Sequence, residues 1–86
     1  MITLANKSLE EINDTIQRGS VLIYNPRFDG IMSKGSRRYL VLEKQSLRNK
    51  RIYNLKLYES SQVHQVCHDY STSNLFQHRS HYHLIP

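Results

Sequence analysis

The chain contains little cysteine and no long apolar segment. Cys67 is its only cysteine, which excludes a disulfide within the chain and is typical of a reducing compartment. No apolar run approaches the roughly 20 residues that a helix needs to cross a bilayer. The beginning of the chain, MITLANKSLEE, has no basic region followed by an apolar one, so we expect no signal peptide. These absences predict no membrane association and a cytoplasmic protein, in the cell that makes it or in a host cell.

The short motifs of well-known enzyme classes are also missing. The chain has no Gly-rich phosphate loop and no metal-binding helix motif, and its seven carboxylates are scattered without pairing. Cys67 with a histidine, or His81 with Arg79, has the residue types for acyl transfer or RNA cleavage, but no spacing singles out one set. We therefore predict a non-enzymatic protein without a cofactor, and keep a small ribonuclease as the alternative.

Length and composition predict one small folded domain over residues 1–86. A chain of 86 residues buries only about 60–65% of its unfolded surface, so its core is thin. Its content of 38% hydrophobic and 22% charged residues is that of a folded protein and not of a disordered one.

Positive charge is concentrated in the middle of the chain. Residues 27–56 contain nine basic and two acidic side chains, and this local excess of seven is larger than the net charge of +5. A basic field on a folded surface attracts and steers polyanions. The charge pattern therefore indicates nucleic acid or an acidic protein surface as the partner.

A helix over about residues 8–18 is the first predicted element. Ser8 and Glu11 have the spacing of a capping box, in which each side chain satisfies a free amide of the first turn. Gly19 is the residue type that ends a helix in a left-handed conformation. The apolar positions at helical spacing are Leu9, Ile12 and Ile16.

Alternating apolar and polar residues predict four or five short strands after the helix. The segment 37–44 has Leu40 and Leu42 on one face and Arg37, Tyr39, Val41 and Glu43 on the other. The segment 51–59 has Tyr53, Leu55 and Leu57 on one face, and it forms a hairpin with 37–44. The remaining strands are expected at Val21–Tyr24, near 63–68 and at Tyr82–Ile85.

One helix cannot cover both faces of a flat sheet built from these strands. At this size the usual solution is to bend the sheet into a small barrel and to cover one open end with the helix. We therefore predict an α+β fold in which the N-terminal helix precedes a strongly bent, four- to five-stranded antiparallel SH3- or Sm-like barrel over about residues 20–86.

The order of these segments resembles two families of small barrels. SLEEINDTIQRG, VLIY, RRYLVLE and IYNLKLYE are similar to the helix and first strands of WYL domains, and the same order occurs in Sm-like proteins. The resemblance covers about residues 8–59 and implies a five-stranded barrel. RGSVLIYNP and RRYLVLE also resemble the PemK-type endoribonuclease toxins, whose small basic barrels cut RNA.

The hairpin supplies the candidate binding residues. Its lysines and arginines can neutralise phosphates, and outward-facing tyrosines can stack on bases. Two alternatives stay open: the cations only solvate an exposed sheet, or they meet an acidic protein. The candidate residues are Arg37, Arg38, Tyr39, Lys44, Arg48, Lys50, Arg51, Lys56 and Tyr58.

A second cluster lies near the C-terminal end. His64, Cys67, His78 and His81 have the paired spacing of a structural zinc site. Against zinc, neither pair sits in a Gly- or Pro-containing turn, and residues at odd separation on a strand point to opposite faces. The alternative is a set of surface histidines near a binding face.

Two functions are consistent with these features. The favoured one is a non-enzymatic nucleic-acid-binding or regulatory module that uses the basic, tyrosine-containing hairpin. The alternative is an inhibitor or adaptor from a phage or mobile element that binds a host protein complex through the same surface. In either case an exposed strand edge at residues 52–58 or Tyr82–Ile85 would favour a homodimer.

Overall fold

The fold alternates short strands with two helices. The computed structural model describes residues 1–25, 37–47, 51–60 and 65–86. The elements in chain order are β1 (Ile2–Thr3), α1 (Leu9–Thr15), β2 (Val21–Tyr24), β3 (Arg37–Ser46), β4 (Tyr53–Ser60), β5 (Gln65–Ser71), α2 (Thr72–Gln77), a 3₁₀ turn (Arg79–His81) and β6 (Tyr82–Ile85).

The first helix begins where the sequence predicts. Ser8 Oγ accepts the Glu11 amide at 3.2 Å, and the Glu11 carboxylate accepts the Ser8 amide at 3.1 Å, so the capping box is complete. The helix ends earlier than expected, because Ile16 is already extended. Gly19 has the left-handed conformation, with φ of +93°, but it belongs to the turn before β2 and does not cap the helix.

All six strands of the described residues form one antiparallel sheet in the order β1-β6-β2-β3-β4-β5. Strands from both ends of the chain therefore meet in the same sheet. The predicted hairpin of β3 and β4 is confirmed, and so is β6 at the predicted place. β5 covers Gln65–Ser71, three residues beyond its predicted end, and the predicted start at residues 63–64 lies outside the described residues.

Both helices lie on one face of the sheet, which we call the inner face. Their apolar residues join those of the strands in a single core, and α2 packs against α1, β4 and β5. Ser71 caps α2 by accepting the Asn74 amide at 3.2 Å. The fully buried aliphatic residues of this core include Leu4, Ile12, Ile16, Leu22, Leu55, Leu75 and Leu84.

The predicted barrel is wrong for the described part of the chain. β1 and β5 are the outermost strands of the sheet order and do not pair with each other, so the sheet stays open. The physical reason is α2, a second helix that the sequence analysis does not predict. Because two helices cover the inner face, the sheet need not curl to bury it. The coarser prediction, a small α+β fold with an antiparallel sheet, is confirmed.

The face assignment of β3 is wrong in part. Val41 is buried against the core, whereas Leu40 points to the opposite face and is 38% exposed. A register shift between Val41 and Glu43 then leaves Leu42 as an extra residue, a β-bulge. After the bulge the alternation is reversed, so that Lys44 and not Glu43 points to the inner face. The faces of β4 are as predicted, with Leu55 and Leu57 buried.

The strands expected at the sheet edge are interior strands. β4 lies between β3 and β5, and β6 lies between β1 and β2. An edge-to-edge homodimer would therefore have to use β1 or β5, and dimerisation stays a prediction. Within the described ranges, no helix is long and apolar enough to span a membrane.

Candidate functional site

The face opposite the helices, which we call the outer face, carries a row of apolar side chains. The strand registers place Ile85, Val21, Leu40 and Tyr58 next to one another across four neighbouring strands. Leu40 and Ile85 are 38% and 36% exposed. A shallow groove of about 340 Å³ runs here, bordered by Val21, Leu40, Tyr58 and Arg38. This groove combines an aromatic ring, aliphatic surface and a guanidinium.

Two of the predicted cations lie on the outer face in different surroundings. Arg38 is exposed, and Ile23 lies opposite it in the register. Lys56 is also exposed, but its cross-strand neighbours are Glu43 and Asp69. The two carboxylates offset the charge of Lys56, so Arg38 is the stronger anchor for a phosphate on this face.

The strand register places Arg37 and Tyr39 on the inner face, although Tyr39 also borders the outer groove. The Arg37 guanidinium is hydrogen-bonded to the Tyr39 hydroxyl, which is also bonded to Glu59. Burial raises the pKa of Tyr39, and the bond to Arg37 opposes that rise. The contact with Tyr39 raises the pKa of Arg37. The two adjacent arginines of the sequence therefore serve opposite faces of the sheet.

Lys44 is a structural residue. Its Nζ donates to the carbonyl oxygens of Asn13 and Ile16 and lies 4.6 Å from the centre of the Tyr53 ring. These contacts hold the ammonium at the end of α1, where free carbonyls and the helix dipole favour a cation. An ammonium engaged in this way is a poor phosphate ligand, so we remove Lys44 from the candidate site.

Of the remaining predicted cations of the hairpin, the structure describes Arg51. Arg51 is exposed, and its carbonyl oxygen accepts from Asn13 Nδ2 at 2.7 Å. Arg48 and Lys50 lie outside the described residues. The predicted hairpin site thus divides into Arg38, Lys56 and Tyr58 on the outer face, and Arg37 and Tyr39 on the inner face.

The predicted zinc residues point in different directions. Cys67 is exposed and pairs with Tyr58 on the outer face. His78 and His81 border a cavity on the inner face, and His64 lies outside the described residues. Among the residues that the structure describes, no group of three or more His, Cys, Asp and Glu side chains is arranged to hold a metal ion.

Sequence reasoning missed a cluster of tyrosines at one end of the inner face. Tyr24, Tyr39, Tyr70 and Tyr82 come from β2, β3, β5 and β6 and surround two adjoining cavities; we call this region the tyrosine cleft. Part of this signal was available, because Tyr24, Tyr39 and Tyr82 each lie two positions from a buried core residue of their own strand, and alternation places such residues on the core face. Tyr70 joins them through its pairing with Leu55, which the sequence alone does not give.

Comparisons with models of protein families, with curated proteins and with solved structures found no match for this chain. The resemblance to WYL-domain, Sm-like and PemK-type proteins therefore stays a prediction.

Proposed function

We propose that the protein is a non-enzymatic module that binds single-stranded nucleic acid on the outer face of its sheet. The observation that carries this proposal is the groove in which Tyr58, Leu40 and Arg38 meet. Unstacked bases bind to aromatic and aliphatic side chains on a sheet, while nearby cations neutralise the phosphates. The excess of basic residues in this part of the chain adds a general attraction for polyanions.

A single strand suits the groove better than a duplex does. The groove is shallow, and bases reach a flat surface only when they are unpaired. Arg38 lies diagonally across from Tyr58 in the register of β3 and β4, and such neighbours are about 7–8 Å apart. That spacing allows one nucleotide to place its base on Tyr58 and its phosphate near Arg38.

The test is binding of labelled single-stranded RNA, single-stranded DNA and duplex DNA across a salt series. We expect Arg38→Gln to weaken single-strand binding. The slope of log affinity against log salt concentration should become shallower by about 0.7, the value for one phosphate contact on a single strand. Tyr58→Leu should remove a stacking contribution of about 1–3 kcal/mol. Arg18→Gln is the matched control, since it removes the same charge from an exposed residue after α1 that borders neither the outer groove nor the tyrosine cleft.

Equal losses in Arg18→Gln and Arg38→Gln would contradict a site on the outer face, because only the net charge would then matter. Absence of binding to every nucleic acid at low salt would contradict the proposal as a whole.

The exposed apolar row favours a second candidate function. Ile85, Val21 and Leu40 present aliphatic surface that an acidic host protein with an apolar patch would cover. An inhibitor or adaptor of this kind would keep its partner at high salt, because buried apolar area is insensitive to screening. Binding to a purified host complex at high salt, lost in Leu40→Asp and accompanied by no binding to nucleic acid, would support this function over the first.

A further inference from the structure

The tyrosine cleft brings four phenol groups to one place. The ring centres of Tyr24 and Tyr82 are 5.2 Å apart, and those of Tyr70 and Tyr82 are 6.2 Å apart. The hydroxyls of Tyr70 and Tyr82 are hydrogen-bonded, and those of Tyr24 and Tyr39 are close enough to act on Tyr82 electrostatically. Four of the six tyrosines of the chain thus converge at one end of the inner face.

Two cavities lie between these rings. One of about 210 Å³ is lined by Leu57 and by the polar or aromatic residues Tyr39, His68, Asp69, Tyr70 and Tyr82. The adjoining one, of about 320 Å³, is bordered by the tyrosines together with His78 and His81. Pockets for drug-sized ligands measure about 300–1,000 Å³, so the first cavity has room for a single small ring system.

The cleft is not required to complete the apolar core. That core is made of aliphatic residues of both helices and the strands, and Tyr82 is the one cleft tyrosine buried in it. Tyr24, Tyr39 and Tyr70 only pack against its margin and keep part of their surface exposed around the cavities. Aromatic rings that border an open space are available for stacking in a way that fully buried rings are not.

The polar groups of the cleft can both donate and accept hydrogen bonds. Each tyrosine hydroxyl does either, and burial raises the pKa values of Tyr39 and Tyr82, which keeps these two groups protonated. The guanidinium of Arg37, which is bonded to the Tyr39 hydroxyl, brings further hydrogen-bond donors near the cleft. The carboxylate of Glu59 is bonded to the same hydroxyl. The Glu59 Oε2 atom is buried without a hydrogen-bond partner in the described part of the chain.

We infer that the tyrosine cleft binds an uncharged planar heterocycle of the nucleobase type, either a free nucleoside or one base of a single strand. The rings would stack on the heterocycle, and the hydroxyls would bond its donor and acceptor edge. This is how proteins read a base that has left its stack. Because Glu59 balances the charge of Arg37 and Asp69 also lines the smaller cavity, the cleft has no excess of positive charge to favour a phosphate.

This inference goes beyond strand binding on the outer face, since the cleft lies on the other side of the sheet. Its first test is titration of the intact protein with adenosine, guanosine, cytidine and uridine, followed by NMR of the histidine ring protons. We expect the signals of His68, His78 and His81, which border the cavities, to shift with a saturable dependence on nucleoside. Inorganic phosphate alone should leave them unchanged.

The second test compares variants of one ring. Tyr70 borders both cavities of the cleft and not the outer groove, so Tyr70→Leu should weaken the binding of nucleoside, or of an oligonucleotide that supplies the base, by roughly 5- to 150-fold. Tyr70→Phe keeps the ring, and we expect a smaller loss of binding. Arg38→Gln, on the outer face, should leave nucleoside binding unchanged while it weakens strand binding there. If the leucine variant loses affinity for the oligonucleotide alone, the ligand is a base of a strand. If it loses affinity for the nucleoside alone, the ligand is the free nucleoside.

Two results would overturn the inference. One is the absence of any histidine shift with all four nucleosides and with the oligonucleotide in the unmodified protein. The other is an identical response to inorganic phosphate, which would show an anion site. Neither result depends on the outer face, so failure of the cleft and failure of the proposed function are distinguishable.

Discussion

The Lys44 ammonium on β3 donates hydrogen bonds to the carbonyl oxygens of Asn13 and Ile16 at the end of α1. The bond to Ile16 is 3.0 Å long. A helix of only seven residues is marginal by itself. A cation from the sheet that satisfies its last carbonyls therefore couples the two layers of the fold.

Replacement of Lys44 should destabilise the protein. Lys44→Met keeps the apolar stem and removes the ammonium, so we expect the free energy of unfolding to fall by about 1–3 kcal/mol. Lys56→Met is the control, because Lys56 is exposed on the outer face and should change stability by less than about 0.5 kcal/mol. Urea denaturation measures both, and equal effects would contradict the structural role of Lys44.

The capping box gives a second prediction. Ser8→Ala removes the acceptor of the Glu11 amide and should lower the free energy of unfolding by about 1 kcal/mol. Ser8→Asp supplies another good acceptor and should cost much less. The same denaturation experiment tests both variants. A cost for Ser8→Asp as large as that for Ser8→Ala would show that the cap does not explain the effect.

Glu11 makes stability depend on pH in the acid range. Hydrogen bonds from the Ser8 amide and hydroxyl lower the pKa of Glu11 below its ordinary value. The Glu11 carboxylate therefore binds a proton less readily in the folded state than in the unfolded state. Its contribution to the free energy of unfolding is fully present above the pKa of the unfolded state and is lost as the pH falls through the pKa of the folded state. We expect Glu11→Gln to show a shallower loss of thermal stability on acidification than the unmodified protein.

Tyr82 acts in the opposite direction at alkaline pH. Burial and the hydrogen bond with Tyr70 raise the pKa of Tyr82 in the folded state. The contribution of Tyr82 to the free energy of unfolding is fully present below the pKa that it has in the unfolded state. This contribution is lost as the pH rises above that value. Ultraviolet titration of tyrosinate should therefore show Tyr82 ionising later than free tyrosine, in step with unfolding. In Tyr82→Phe this late step should be missing, and the alkaline loss of stability should be shallower.

Gly19 should resist substitution for a backbone reason. Its φ of +93° is one that other residues adopt with strain, and nothing lies within 4 Å of the place that a Cβ would occupy. We expect Gly19→Ala to cost about 1–2 kcal/mol in the free energy of unfolding. Gly19→Asn should cost less, because asparagine tolerates the left-handed region. An unchanged stability in Gly19→Ala would contradict this account.

The sequence predicts local features of this fold better than their assembly. The capping box of Ser8 and Glu11 and the alternation of Leu55 and Leu57 follow from neighbouring residues, and both are confirmed. α2 was missed because TSNLFQ has only two apolar residues and no repeated turn. Its N-cap Ser71 was the one available signal. Without α2, a closed barrel was the only way to bury a face of the sheet.

The candidate site shows the same division. Two neighbouring arginines in the sequence indicate a cationic surface. Only the strand register shows that Arg38 lies on the outer face, beside the groove, and that Arg37 lies on the inner face, beside the cleft. The structural contacts of Lys44 could not be predicted, because they depend on α1, about 30 residues earlier in the chain. The convergence of tyrosines from four strands depends on sheet order, which no local pattern of this sequence contains.

The bulge at Leu42 gives β3 two opposite parities along its length. Before it, odd-numbered residues such as Val41 point toward the helices; after it, even-numbered ones such as Lys44 do. Deleting Leu42 would remove the extra residue and leave Glu43 opposite Lys56 and Lys44 opposite Leu55, so both side chains would keep their faces. Replacing Leu42 also keeps both faces. We therefore expect β3 to tolerate the loss of a residue at the bulge, whereas an insertion or deletion in the regular part of the strand would turn the side chains on one side of it to the wrong face.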